Sequence, residues 1–265
     1  MCDFYAKKFV ISKICFIFVV YNLHKIEIKM SYTYKYPHPA VTTDCVIFSF
    51  DGIDLKVLLI ERGNDPFKGH WAFPGGFLNM NENAEQGALR ELQEETGLTP
   101  NYIEQFHTFT GVDRDPRERV VSIAYLALIK PTDVKGGDDA SDAKWFSLKG
   151  LPPLAFDHEY IFRVAQQALR ERIYFESIGF DLLGDCFTIP EVQRLYEAIL
   201  NIRFDRRNFQ KKLLLMDILE EIDDRESTEG KENQTMTRGR KAKKYRFNRK
   251  KYEKMKESGH FKFEF

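Results

Sequence analysis

Glu91, Glu94 and Glu95 stand at i, i+3 and i+4. A helix of about 3.6 residues per turn would carry all three carboxylates toward one side. Such crowding costs repulsion unless a cation neutralises it. With no His or Cys beside them, hard oxygen donors favour Mg²⁺ or Mn²⁺ over Zn²⁺. The spacing therefore predicts a divalent-metal site on a helix.

The flanking residues predict how that helix is held. Trp71 to Gly76 (WAFPGG) reads as a short strand entering a glycine turn, Asn83 or Asn81 as the N-cap, and Gly97 as the stop. Backbone amides at such a turn, facing a metal on the helix, suit a diphosphate. The implied chemistry is attack of a metal-activated water on a phosphoanhydride.

From Gly76 to Leu98 the residues follow Gly-x5-Glu-x7-Arg-Glu-apolar-x-Glu-Glu-x-Gly-apolar, with Glu82 as the first glutamate and Arg90 as the arginine. This run resembles the signature of the Nudix family at every fixed position. The resemblance implies an α/β/α sandwich and Mg²⁺- or Mn²⁺-dependent hydrolysis of a nucleoside diphosphate linked to another moiety. It assigns metal binding and catalysis to Glu91, Glu94 and Glu95, orientation of carboxylates to Arg90, and the loop to Gly76, with Gly75 and Gly76 expected at the bound substrate or effector. A complete motif is also compatible with a protein that only binds its ligand.

Arg62, His70, Trp71 and the stretch Gly111 to Arg119, with Arg114, Arg117 and Arg119, suit an anionic, aromatic ligand. By spacing alone, the arginine-rich stretch fits a solvated loop equally well. The sequences DRDPRERVVS (113–122) and LAFDH (154–158) resemble the Nudix branch that handles ADP-ribose and includes Nudix-related transcriptional regulators. His158 fits a structural role at a helix start as well as a catalytic one.

The chain has 265 residues with 43% apolar and 14% aromatic content, enough for a substantial core, and a formal net charge of zero that hides a split. From Cys186 onward there are 20 Lys/Arg and 14 Asp/Glu, leaving 20 and 26 before it, so a basic module of +6 follows an acidic one of −6. The opening residues look foreign to the rest. The apolar run Ile14–Tyr21 is too short for a bilayer, which needs about 20 residues, and no small-x-small cleavage site follows it. We read 1–35 as an N-terminal extension, with Met30 as the expected true start. A loose tail or a membrane signal are the alternatives. The cysteine spacing predicts neither a disulfide framework nor a zinc site, leaving Cys45 and Cys186 as free thiols.

Between 36 and 176 the pattern predicts strands over 41–50, 55–62, 102–111, 119–129 and 143–148. Asp51-Gly52 makes a hairpin, 131–140 a turn-rich loop, and 157–173 a helix that covers the sheet.

The segment 177–265 reads as a DNA-binding module. Thr188–Leu200 is a capped helix, Asp205–Leu215 a second helix carrying Arg206, Arg207, Lys211 and Lys212, and 216–222 with 242–248 a wing around the polar tip 223–237. Past that tip, cations alternate with aromatics. Arg238, Arg240, Lys241, Lys243 and Lys244 suit phosphate contacts and a minor groove, or a solvated basic tail. This layout resembles the winged helix of the Nudix-related regulators, although their Nudix motifs are often eroded and this one is complete.

The expectation is thus an α+β chain, a Nudix sandwich with a C-terminal winged helix-turn-helix. The resemblance implies a cytoplasmic, homodimeric regulator of double-stranded DNA, controlled by ADP-ribose or another sugar phosphate. The alternatives are a Mg²⁺-dependent ADP-ribose pyrophosphatase and an RNA-directed Nudix enzyme.

Overall fold

The computed structural model describes residues 32–134, 140–222 and 242–257. The opening apolar run, the wing tip and the cations Arg238, Arg240 and Lys241 lie outside these residues, as do residues 135–139 of the loop predicted over 131–140. The chain divides into Met1–His38 and Pro39–Phe265. In the first unit Tyr32, Tyr34 and Tyr36 are exposed, with Tyr34 edge-on to His38 at 4.0 Å. The remainder concerns the second.

Strand β1 (Ala40–Phe50) is the axis of a seven-stranded mixed sheet. Apolar residues fill both alternating sets of positions along its second half, so both faces must be covered. The turn at Asp51-Gly52 returns the chain as β2 (Leu55–Arg62). There the Asp51 carboxylate accepts the Ile53 and Asp54 N–H groups, and Gly52 takes φ +92°. Strands β3 (Trp71–Ala72) and β4 (Gly75–Phe77) pair with β2 and β1, then β5 (Tyr102–Phe109) runs antiparallel to β6 (Val120–Leu128), which lies parallel to β1. Strand β7 (Ala140–Ser147) pairs with the outer edge of β2, starting earlier than the turn-rich residues before it predict, because its register extends to Arg62 opposite Ala140.

Each face of the sheet has its own helix. Cys45 and Ile47 join Ala88 and Leu92 of α1 (Ala84–Thr96), whereas Val46, Phe48 and Phe50 meet Ile161, Ala165 and Leu169 of α2 (His158–Phe175). Full burial of such side chains contributes about 1.5–3 kcal/mol each. Helix α1 begins at a reciprocal capping box, Asn83 with Gln86, and ends at Gly97 in the left-handed conformation.

The α2 side of the core does not stop at the end of the sandwich. Through a 3₁₀ turn (Ser177–Leu182) it runs into Phe187, Val192, Leu195 and Tyr196, then Phe209 and Leu213. Helix α3 (Ile189–Leu200) starts at the Thr188–Glu191 capping box and ends with Asn201 at φ +54°; Asp205 then caps α4 (Arg206–Leu215). Strands β8 (Leu219–Ile222) and β9 (Lys244–Phe247) pair antiparallel, and Tyr245 also bridges to Phe187. The sandwich is therefore followed by a winged helix packed on the same core.

The aromatics of the basic end have a structural role. Tyr245, Phe247 and Tyr252 alternate with cations because β9 and a further helix, α5 (Arg249–Glu257), bury one side. Phe247 stacks on Phe180 at 4.4 Å, and the Tyr252 hydroxyl accepts the Ser177 N–H. These rings are core, so they are not available to stack on bases. Among the described residues, no helix is long and apolar enough to cross a membrane.

Candidate functional site

A cavity of about 390 Å³ opens between β1, the β4 turn, α1 and the start of α2. Gly75 and Gly76 are required by close approach. A Cβ on Gly75 would stand 2.1 Å from the Thr43 carbonyl oxygen across the strand pair, and one on Gly76 would stand 2.3 Å from a Glu91 carboxylate oxygen.

Arg90 joins the carboxylates of α1. Its guanidinium donates to Glu82 Oε1 at 2.6 Å, Glu91 Oε1 at 2.8 Å and Glu94 Oε2 at 2.9 Å. These bonds hold the Glu82 carboxyl down to about 2 and raise the Arg90 pKa. Burial pushes Glu91 up against the opposing pull of Arg90. Glu95 is buried and accepts the Gly75 N–H at 2.8 Å.

Glu91 and Glu95 line the cavity and Glu94 does not; its side chain is 57% exposed. Adjacent positions diverge by about 100° around a helix, so Glu94 and Glu95 leave the backbone in different directions. As the side chains stand, no three His, Cys, Asp or Glu among the described residues are gathered closely enough to hold a metal ion. One guanidinium nitrogen of Arg90 bonds Glu91 and Glu94 together. The donor set nevertheless fits Mg²⁺ or Mn²⁺. Its oxygens are hard, Glu91 and Glu95 share one cavity with Asp44, and Gly76 leaves the room that Glu91 uses.

Opposite the carboxylates, two arginines flank a ring. The Arg62 guanidinium lies 4.7 Å and that of Arg117 5.7 Å from the centre of Phe156, and Arg117 also covers Phe77 at 5.2 Å. Phe156 takes φ +52°. Burial, and then the charge of Arg117, lower the Arg62 pKa, whereas the hydrogen bond to Asp115 raises that of Arg117. Both arginines keep a protein anchor, Arg62 Nε on the Pro66 carbonyl at 2.9 Å and Arg117 on Asp115 at 2.7 Å.

Arg114 sits deeper. It bonds Asp157 at 2.8 Å and Asp44 at 3.3 Å, and these carboxylates raise its pKa even though burial, the larger single influence, works to lower it. Asp44 also accepts the Ser122 hydroxyl. His158 Nδ1 accepts the Phe73 N–H at 3.0 Å, its other nitrogen is 3.7 Å from Asp44, and burial lowers its pKa, which leaves it neutral. Arg119 stands apart. It donates to the carbonyls of Thr110, Gly111 and Val120 and does not line the cavity.

Sequence reasoning misses Asp44 and Thr42, and it carries Asp115 and Phe156 only as unassigned members of the motifs at 113–122 and 154–158. Thr42 has a buried hydroxyl with no partner among the described residues, in the wall of this cavity. Asp44 and Thr42 lie on a strand whose pattern reads as core, so only the third dimension exposes them. His70 is exposed and is not in the cavity lining, and neither is Trp71, which packs edge-on to Phe146.

On the second module, Arg206, Arg207 and Lys211 are exposed on α4, with Lys212 partly covered. Lys243 pairs with Glu221 at 2.7 Å, and Lys244 is exposed at the start of β9.

Comparison with known proteins agrees with this two-part layout. Residues 38–165 match the NUDIX domain family, and residues 179–247 match the NrtR DNA-binding winged helix domain. An ADP-ribose pyrophosphatase of Methanocaldococcus jannaschii is 45% identical over 128 residues, covering 48% of this chain and 73% of that protein. The ADPR responsive transcriptional repressor NtrR of Acinetobacter baylyi is 34% identical over 193 residues, covering 71% of this chain and 77% of the repressor. The crystal structure of Shewanella oneidensis NrtR complexed with a 27mer DNA superposes with a TM-score of 0.65 at 31% identity, over 84% of this chain and 97% of that one. The chain belongs to the Nudix family, in the branch that joins a NUDIX domain to an NrtR-type winged helix.

Proposed function

We propose that this protein is a transcriptional regulator whose winged helix binds double-stranded DNA under control of ADP-ribose, or a related nucleoside diphosphate or sugar phosphate, bound in the Nudix cavity. The observation that carries this reading is the shared core. Asp157 and His158, which sit against Arg114 and Asp44 at the cavity, open α2, and α2 packs into the same cluster as α3 and α4. The diphosphate would meet Arg62 and Arg117, with the aromatic portion against Phe156. Any change in the Arg114–Asp157 contact would then act on the helix that supports α3. Control requires the ligand to favour one arrangement over another, because equal affinity shifts nothing.

On DNA, Arg206, Arg207 and Lys211 would contact phosphates and the major groove, with Lys212, Lys243, Lys244, Arg238, Arg240 and Lys241 as further cations. Paired half-sites make a homodimer the expected assembly, and action on DNA makes the cytoplasm the expected location. Glu91, Glu94 and Glu95 would hold Mg²⁺ or Mn²⁺, which when bound neutralises the diphosphate and lowers the pKa of a coordinated water. Glu82 and Arg90 would keep those carboxylates in place.

A second reading, a working ADP-ribose pyrophosphatase giving AMP and ribose 5-phosphate, is supported by the intact motif and by the 45% identity to an enzyme of that name. Glu95→Gln separates the two activities, abolishing hydrolysis while leaving DNA binding in place. Loss of both would mean that the substitution unfolds the domain. The regulator reading is tested by selecting genomic fragments with the full chain, with and without ADP-ribose and Mg²⁺. Enrichment of a few fragments that depends on ADP-ribose supports it, and absence of selective enrichment places the hydrolase first.

A further inference from the structure

A second cavity, about 690 Å³, lies where the sandwich meets the winged helix, and the function proposed above makes no use of it. One wall comes from the β1–β2 turn and the end of β7, another from α2, and the third from α3 and the turn that leads to α4. A volume of this order is typical of small-molecule sites.

Its charges are unevenly committed. Lys149 pairs with Asp54 at 3.1 Å and Arg203 with Glu197 at 2.7 Å. Arg170 and Arg194 have no carboxylate partner among the described residues. Each is fixed through Nε alone, Arg170 to the Ile199 carbonyl at 3.1 Å and Arg194 to the Gly52 carbonyl at 2.9 Å. A guanidinium held in this way presents its remaining N–H fork in a set position, which suits the oxygens of a phosphate. The lining also carries Gln166 and Asn201, and an apolar portion made by Leu148, Leu169 and Ile199 with two isoleucines that the fold leaves exposed, Ile53 at 76% and Ile202 at 44%.

We propose that this cavity is a second small-molecule site for an organic monophosphate of nucleotide size, its phosphate on Arg170 and Arg194 and its less polar portion against Leu148 and Ile202. The proposal does not rest on the reading of the Nudix cavity. Because the walls belong to both modules, an occupant would brace α3 and the turn before α4 against the sandwich. On the DNA-binding reading above, DNA affinity would then respond to occupancy of the junction as well as of the first cavity.

Methyl NMR of the full chain, titrated with AMP and separately with inorganic phosphate, tests this. Ile53 and Ile202 report on the junction and Ile60 on the Nudix cavity. The expected result is saturable shifts at Ile53 and Ile202 with AMP, and binding about tenfold weaker with inorganic phosphate, which lacks the apolar contacts. Shifts confined to Ile60, or none at Ile53 and Ile202 up to millimolar AMP, overturn the proposal, and equal affinity for inorganic phosphate overturns its nucleotide portion. Arg170→Gln with Arg194→Gln should abolish the junction shifts while Ile60 keeps its position. Should that pair disturb the fold, Ile202→Glu at the exposed mouth provides the same test with Ile53 as reporter. AMP binding unchanged in a folded variant of either kind contradicts recognition by these residues.

Discussion

The two helices on which the proposed function places its charges, α1 and α4, treat those charges in opposite ways. On α1, Arg90 is bonded to Glu82, Glu91 and Glu94, and Glu95 to the Gly75 amide, so the charged side chains at the site are partnered before any ligand arrives. On α4, Arg206, Arg207 and Lys211 are exposed. The first arrangement holds its carboxylates in set positions by hydrogen bonds within the protein. The second keeps cations solvated until a polyanion replaces their counterions. Substitutions that strip a hydrogen-bond partner should therefore cost stability at α1, and those that remove a cation should cost only binding at α4.

The largest effect should come from Gly75→Ala. The new Cβ would stand 2.1 Å from a backbone oxygen of β1, which cannot rotate away, so the strand pair must open. A loss of about 3 kcal/mol in urea unfolding is expected. Next, Arg206→Ala, Arg207→Ala and Lys211→Ala combined should cost more than tenfold in DNA affinity. The salt slope should flatten by about 0.9 for each phosphate no longer neutralised, while unfolding free energy stays within about 0.5 kcal/mol. An unchanged salt slope would refute the placement of the recognition helix. Arg90→Ala should destabilise by about 2 kcal/mol, because mostly covered carboxylates lose their cation; a variant as stable as the parent would erase the contrast between the two helices.

His158→Phe has the smallest expected effect, about 1 kcal/mol from the orphaned Phe73 N–H, and it carries a pH signature. Burial depresses the folded-state pKa of His158 below its ordinary 6.5, so the unfolded chain binds the proton first and the parent loses stability as pH falls below 6.5. The variant lacks this component. Comparing unfolding free energies at neutral and mildly acidic pH measures the difference.

Much of this was legible in the sequence because local chemistry set it. Asn83 and Gly97 bound α1, Thr188 and Asp205 start α3 and α4, and the near-continuous apolar runs of β1 and β2 mark a sheet covered on both faces. What was not legible depends on long-range approach. Asp44 reaches Arg114 and His158 only through the fold, and Phe156 becomes a shelf for Arg62 and Arg117 only because a backbone turn places it there. Arg119 resembles its neighbours in sequence yet bonds its own loop. At the basic end the strand over 242–248 was legible, but charge dominated the pattern and hid the burial of Tyr245 on it and the helix α5 that buries Tyr252.

The most direct test of the account is the dissociation constant for one selected DNA fragment, measured at fixed salt and Mg²⁺ with and without saturating ADP-ribose, and with the ligand verified intact at the end. Coupling between two sites of one core predicts a change of about tenfold, and linkage requires the same factor in ADP-ribose affinity when DNA is saturating. Identical DNA affinity at saturating ADP-ribose would contradict control of the winged helix from the Nudix cavity.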